Sequence, residues 1–591
     1  MNVILESLIK NQTTGIVWTL TFPSGRVYNV QLVFPLALCI VDIKGAHSLC
    51  GMFDAYSNIS RPCVSCKCIE NDLDDPYASC INVTDIEMKK KIFSSTEDDL
   101  KKFSQHKLVD NAFFRVNIGG WKFGIWGLCP AEILHQYYEG LIAYTLEFFF
   151  QSILTERSRN NLNRSVQQII ESCKCQSDRN FPSATFTTGI SYSSKMKGTE
   201  KFAAIFYLAL YLYTKASKNL FNGCHGSHIS ESSLKKWRQL FERILFYHDW
   251  LMQKQFSRKD IKEKQVLVVE LFSMFKQLVK RTDGSQLKIP KLHELLHSCR
   301  DILRHGPARG YDTCPTESNH KPLKSLSQNT QRIKSKFEEQ TAKRLFESNV
   351  IETAWKDSKL SCLSTKYANV TNTSFSKSNN VKKSHCYGAF QLVRIVNDLL
   401  KKSRKNKQKN FCFKFKETNF DKTFEPNEKI SQELLTYMSD EIFEYLDEST
   451  NSLNCFTIYK NDKNIYYGLP VRKRIQITNP SWAQFEWDES ENCPGKCLMF
   501  VDLSNVRYKE NAPVTYEPDI HVIIQSLSSS IVSDANNIKI AHRSSLFKVH
   551  PYYCVSVHTI SKPAFVIPDI GNDNNEQYLY VFPRQIWKDS L

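Results

Sequence analysis

The hydrophobic period of this chain changes twice, and those changes limit the folds open to it. GIVWTLTF (15–22) and RVYNVQLVF (26–34) carry β-branched and aromatic residues on either side of a PSG turn, which predicts a hairpin. From 130 to 350 the pattern is mostly helical, with Pro130 placed near a helix start. After 450 short strand-like runs return, among them KCLMFVDLSNVRY, HVIIQSL, YYCVSVHTI and QYLYVF. Their turn-separated spacing predicts a small β-barrel or sandwich. No internal repeat is visible.

Between the hairpin and the helices lies LALCIV (36–41), ending at Asp42. A short run apolar on both faces predicts a central strand of a covered sheet. An acid just after such a strand sits at a sheet edge, where functional groups project. A plain surface Asp is the other reading.

Two segments are apolar enough to raise the question of a membrane, 140–154 and 202–213. Both fall short of the ~20 residues a bilayer requires. They are expected as buried core helices, and no membrane partner is expected. The formal net charge of +17 favours a polyanion instead, DNA or RNA first. A basic protein without a nucleic-acid ligand is the alternative.

The chain has 19 cysteines, and MNVILESLIKNQ has no basic segment followed by a long apolar one. A reducing compartment is therefore expected, with cysteines as metal ligands or buried thiols. Cys63-x2-Cys66-x-Cys68, with Cys80 further on, supplies four thiols for a structural Zn²⁺. His47 and Cys50 lie upstream as further candidates. Unliganded reduced thiols are the competing reading.

Two other constellations stand out. His293-Glu294-x-x-His297 has the spacing of zinc peptidases, with both imidazoles on one helical face, Glu294 as base and Glu317 as a third ligand. Basicity and the downstream Lys/Arg run favour a phosphodiester substrate over a peptide. Glu317 itself lies in the first turn of a predicted helix, with Lys321, Lys324 and Arg332 able to line one side. A carboxylate beside cations suits a metal held next to DNA. An ordinary first-turn Glu, favoured by the helix dipole, is the plainer account.

These blocks together carry a resemblance. FPLALCIVDIKGAHSLCGMFDAYSNISRPCVSCKC resembles the segment of CACTA-type (EnSpm-type) and Plavaka-type cut-and-paste DNA transposases in which a strand ends in a catalytic Asp and a Cys-x-x-Cys loop follows. GIWGLCPAEILHQYYEGLIAYTL is similar to their helix with an acid-x-x-His pair, here Glu132 and His135. IPKLHELLHSCRDILRHGP and CPTESNHKPLKSLSQNTQR resemble the helix before the last catalytic acid and the catalytic Glu helix. The blocks occur in the family's order over about residues 1–345.

The resemblance implies an α/β, ribonuclease H-like catalytic core interrupted by a large all-helical insertion. Two Mg²⁺ or Mn²⁺ ions would sit among two Asp and one Glu. Asp42 would be the second Asp and Glu317 the closing Glu, with Glu132 and His135 in support. His293 and His297 would then have a role other than peptidase ligation. The family's first Asp lies upstream, yet Glu6 is the sole acid before Asp42. The expectation is an N-terminally shortened chain with a weak or inactive centre.

The expected organisation is the first part of the core with its cysteine loop at 1–82, a helical insertion at 83–289 and the catalytic Glu region at 290–350. A basic Ser/Asn/Lys-rich linker at 351–410 and a mostly β domain at 411–591 follow. Lys401, Lys402, Arg404 and Lys405 belong to a basic run suited to phosphate contact or nuclear import. The expected partners are DNA and further copies of the chain in a homo-oligomer, in the nucleus. A non-catalytic DNA-binding or interaction protein on the same scaffold is the second reading.

Overall fold

The computed structural model describes most of residues 2–314 and of 410–581, with few positions between. Among the intervals outside the described residues are 34–35, 54–59, 174–181, 225–230, 315–336 and 347–409. Residues 1–312 and 409–591 form one compact unit and 313–408 a second. Glu317, Lys321, Lys324, Arg332, Lys401, Lys402, Arg404 and Lys405 lie outside the described residues, as does nearly all of the expected linker.

The chain starts with helix α1 (Asn2–Thr14) and the hairpin β1 (Ile16–Thr21) and β2 (Val27–Leu32). The two strands pair antiparallel from Ile16 opposite Leu32 to Thr21 opposite Val27. Gly25 takes a left-handed φ of +79° in the turn, a conformation a side chain would disfavour.

The expected central strand at 36–41 does not form. The segment joins no ladder among the described residues, and its Cys39 N–H donates to Leu128 O at 2.9 Å. Asp42 therefore ends no strand. It caps helix α2 (Ile43–Cys50), its Oδ1 accepting from Gly45 N at 2.6 Å. The short polar side chain satisfies one of the N–H groups that a helix start leaves unpaired. Around this start Ala46, Cys50, Val64, Val83, Met88, Ile92 and Trp126 pack into a small core. Helices α3 (Asp85–Ser94) and α4 (Glu97–Lys101) close it.

Between 134 and 305 the described residues are mostly helical, as the pattern predicts. A continuous helix runs through Leu134–Ile142, Ala143–Glu147 and Phe148–Ile153, its first and last parts in the wider π form. After it come α5 (Glu156–Cys173), α6 (Gly198–Tyr211), α7 (Glu231–Leu251) and α8 (Arg258–Leu278). Every residue of α6 from Lys201 to Tyr211 is buried, as its unbroken apolar run demands. Tyr137 and Tyr138 anchor the 134–153 helix to α7, donating to Ile244 O at 2.7 Å and meeting His248 Nε2 at 2.8 Å. No helix among the described residues is long and apolar enough to cross a membrane.

The C-terminal region is a curled antiparallel sheet. Its strands are β3 (Asn410–Lys414), β4 (Ser452–Phe456), β5 (Ile458–Lys460), β6 (Ile465–Tyr467), β7 (Trp482–Asp488), β8 (Glu491–Asp502), β9 (Ile520–Ser526), β10 (Ala541–Ser545), β11 (Tyr552–Ser556), β12 (Ile560–Pro568) and β13 (Gln577–Val581). The main path runs β10-β13-β12-β7-β8-β4-β3, with β9 joining β8 to β11 and β5-β6 a separate pair. Strands β7, β10 and β12 lie outside the runs that the sequence brings forward. The sheet packs on the helices: Lys215 N donates to Asp569 Oδ1 at 2.8 Å and Phe206 meets Phe565 at a ring distance of 6.1 Å. The fold as a whole is mixed helix and sheet.

Candidate metal centre and adjoining acidic cavity

Helix α2 fixes the loop that follows it. Both ring nitrogens of buried His47 face backbone carbonyls, Phe53 O and Pro62 O, each at 3.0 Å. Those contacts hold the chain that leads into the Cys63 turn, at Phe53 and Pro62, and use His47 structurally. Beyond it, Lys67 N donates to Ile81 O at 2.8 Å and Val83 N to Ser65 O at 3.2 Å, around a bridge between Cys66 and Asn82. These bonds pair 65–67 with 81–83 and fix the backbone that carries Cys66. Cys63, Cys66 and Cys68 are buried and Cys80 is half-buried.

The second half of the site is helical. Pro290 opens the first turn, Glu294–His297 tightens to 3-10 form, and helix α9 (Ser298–His305) continues it. Four-residue spacing puts His293 and His297 on one face, while Leu292, Leu295 and Leu296 are buried. This helix reaches the 134–153 helix at Gly140, where a Cβ would stand 3.0 Å from His135 O and 3.4 Å from Lys291 Cβ. Glycine permits the approach that delivers the histidines to the cysteine loop.

There the two halves meet. Cys63 Sγ lies 3.3 Å from His297 Nε2 and Cys66 Sγ 3.2 Å from His293 Nε2. One donor atom from each of the four residues lies within 4.8 Å of the others, and all four residues are buried. A tetrahedral Zn²⁺ with bonds of about 2.3 Å to sulfur and about 2.0 Å to nitrogen separates S from N by about 3.5 Å. The donor set fits such an ion, so this buried Cys2His2 cluster can hold a metal such as zinc.

Electrostatics agree with ligation. Burial opposes a charge on His293, yet hydrogen bonds to Cys63, Cys66, Cys68 and Cys80 raise it well above the usual histidine value. A metal ion replaces the proton that such thiolates attract. Cys68 and Cys80 stand beside the four. The hydrogen bond with Cys66, against the opposing effect of burial, lowers Cys68 to about 6 and Cys80 to about 5.

Arg300 binds the two halves outside the donors. It donates to Asn82 Oδ1 at 3.0 Å, Ser65 Oγ at 2.9 Å and Asp301 Oδ1 at 2.8 Å. Asp301 accepts from Ala131 N at 2.9 Å, which carries the connection to the start of the 134–153 helix. Ligand positions held by such outer partners keep their geometry.

An acid-lined cavity adjoins the metal cluster. Asp42, Glu132, Glu294, His297, Arg300 and Asp301 are among its lining residues. Glu132 is buried, accepts from Leu134 N and His135 N at 2.7 Å each, and bonds to the His135 ring. The acid-x-x-His pair thus forms a cap on its own helix start. Burial first, then Cys63, Glu132 and Asp301, raise the Glu294 carboxyl well above its ordinary value.

Asp42, Glu132 and Glu294, remote in sequence, therefore share one cavity wall, and the cysteine loop shares one donor set with the HELLH helix. The sequence reading missed that last pairing. A signal existed: a Cys-x-x-Cys turn supplies two donors, and two histidines one helical turn apart are the usual complement. Arg300 and Asp301 carried no such signal. No protein-family model matches the chain, and no curated protein matches it.

Proposed function

We propose that this chain is a transposase-derived DNA-binding protein, with a ribonuclease H-like centre for metal-dependent DNA strand cleavage and transfer that is impaired here. The observation that carries the reading is the convergence at one cavity of Asp42, Glu132 and the helix leading towards Glu317. These belong to the separate blocks on which the transposase resemblance rests. The Cys2His2 cluster gives that convergence a physical cause, since a shared ion ties the loop after Asp42 to the helix before Glu317.

In this reading Asp42 and Glu317 would hold Mg²⁺ or Mn²⁺, which would supply Lewis-acid chemistry to a phosphodiester. Glu132 and His135 support the insertion helix. The basic residues Lys321, Lys324 and Arg332 contact phosphates, as do Lys401, Lys402, Arg404 and Lys405. Asp42 is already engaged as the cap of its helix, which weakens the centre in this reading. The cluster has four protein donors and leaves no open position for water, which removes support from a peptidase.

The test is duplex DNA binding by gel shift, together with plasmid nicking in Mg²⁺ and Mn²⁺. Salt-sensitive binding with weak nicking is expected. Failure to bind DNA at low salt would sink the proposal. A second reading, a non-catalytic DNA-binding protein on this scaffold, is favoured by the use of Asp42 as a helix cap. It predicts salt-sensitive binding with no nicking in either Mg²⁺ or Mn²⁺.

A further inference from the structure

Two cysteines stand beside the metal donors without belonging to them. Cys68 is buried and Cys80 half-buried, and neither is among the four residues whose donor atoms converge. Both pack in one small cluster with Cys63, Cys66 and Leu73, and both hydrogen-bond with Cys66.

The backbone sets these two thiols against each other. Val83 N donates to Ser65 O and Lys67 N to Ile81 O, on either side of the bridge between Cys66 and Asn82. The segments therefore run antiparallel, with Ser65 opposite Val83, Cys66 opposite Asn82 and Lys67 opposite Ile81. One residue further, the same register sets Cys68 opposite Cys80. The bonds come from the residues flanking Cys66 and Asn82, so that pair is of the non-hydrogen-bonded type, and Cys68 with Cys80, two residues on, takes the same type. Such pairs are the closer ones, with Cα atoms about 4.5 Å apart and side chains on one face. A disulfide spans Cα separations of about 4.4–6.8 Å.

The two thiols differ in access. Tyr77 and Ile81, on either side of Cys80, are well exposed, which places Cys80 at the surface. Cys68 is covered, its N–H donating to Cys66 Sγ at 3.4 Å. A thiol reached by solvent next to a covered one is the arrangement of a sensing cysteine and its resolving partner.

We propose that Cys68 and Cys80 are a reversible oxidation site, closed by hydrogen peroxide into a cross-strand disulfide that spares the zinc ligands. The Cys80 sulfur attacks one peroxide oxygen, the O–O bond breaks, and a sulfenic acid and one water form. The Cys68 sulfur then attacks the Cys80 sulfur, the S–S bond forms, and the hydroxyl leaves with the Cys68 proton as a second water. Two thiols are oxidised and one peroxide is reduced. Cys63 and Cys66, buried and engaged by the ion, are passed over in favour of Cys80. Small thiols reverse the step by exchange, so the disulfide is transient in a reducing compartment. This inference is independent of the proposed DNA chemistry and rests on the metal centre only for which thiols are spared.

Peroxide titration of the reduced, zinc-loaded full chain tests it, with zinc release read by a chromogenic chelator and thiols mapped after alkylation and trypsin. Cleavage after Lys67 and Lys89 isolates 68–89, whose two cysteines are Cys68 and Cys80. This peptide should become lighter by two hydrogens at peroxide doses that release no zinc, and dithiothreitol should restore it. Cys68→Ser and Cys80→Ser should each abolish the disulfide and lower several-fold the peroxide needed to release zinc. Cys224→Ser, at another half-buried thiol, should change neither. A disulfide from 68–89 to Cys63 or Cys66 would overturn the proposal. So would a 68–89 peptide still reduced when zinc leaves, or variants that release zinc at the wild-type dose. Absence of zinc before oxidation would refute the metal centre alone, since the mass of 68–89 decides the disulfide by itself.

Discussion

Cys63 Sγ and His297 Nε2 lie 3.3 Å apart although 234 positions separate them in the chain. The contact unites two motifs with different meanings when read alone, a cysteine knuckle and a peptidase-like helix. Together they form one buried donor set, and the chain between them is the helical region.

Metal content is the first expectation that follows. The purified chain should carry about one zinc per molecule, measured by elemental analysis, given the four-donor site. Cys66→Ser and His293→Ala should both lose it. Cys68→Ser and Cys80→Ser should retain it, because the four closest donors do not include them. Loss with Cys80→Ser and retention with His293→Ala would instead support a four-cysteine site.

Chelation should act on stability as well as on composition. A bound ion would join the cysteine loop near Cys63 to the helix that carries His293 and His297, so its removal should lower the melting temperature of that whole unit. Protons compete for the same thiolates and imidazoles, so zinc loss should become easier as pH falls. Differential scanning calorimetry with and without a chelator measures the first effect, and zinc release against pH the second.

Asp301 should be the most costly outer residue to remove. Asp301→Ala leaves the Ala131 N–H without its acceptor and removes one of the three acceptors of the half-buried Arg300 guanidinium, an expected loss of about 1–3 kcal/mol in denaturant titration. Burial pushes this carboxyl up, but Arg300, His297 and the Ala131 N–H outweigh it and hold it below its ordinary value. A depressed folded value means the stabilisation is present above about pH 4, the unfolded value, and fades as pH falls below it. The gap in stability between wild type and Asp301→Asn should therefore narrow in acid. A gap that widens in acid would reverse the assigned sign.

Gly140 offers a packing test. Gly140→Val crowds side-chain atoms against His135 O and Lys291 Cβ, and should cost about 1–3 kcal/mol. Because the displaced helix carries both histidines, zinc affinity should drop with stability. Unchanged zinc affinity would show that the helix is held without this contact.

For DNA, replacing Lys401, Lys402, Arg404 and Lys405 with Gln should flatten the dependence of log affinity on log salt. Each charge that contacts phosphate accounts for about 0.9 of the slope. An unaltered slope would place the phosphate contacts elsewhere on the chain.

Some of this was legible in the sequence because local chemistry decides it. The hairpin at Pro23–Gly25, the buried helix of 202–211 and several strands after 450 follow from period, turn residues and apolar runs. Cys63 and Cys66 announce a metal turn by spacing alone. The run 36–41 misled, since an apolar segment suggests a strand but the ladder partner must come from elsewhere in the fold.

What the tertiary structure alone decided is which groups meet. The sequence set the donor types: thiols two residues apart on a turn, imidazoles one turn apart on a helix. Their union depends on a close helix crossing at Gly140 and on the bonds from Arg300 to Ser65, Asn82 and Asp301, which no short-range pattern encodes. Spacing along a chain fixes the direction of neighbouring side chains, whereas the approach of distant ones is settled by packing across the whole unit.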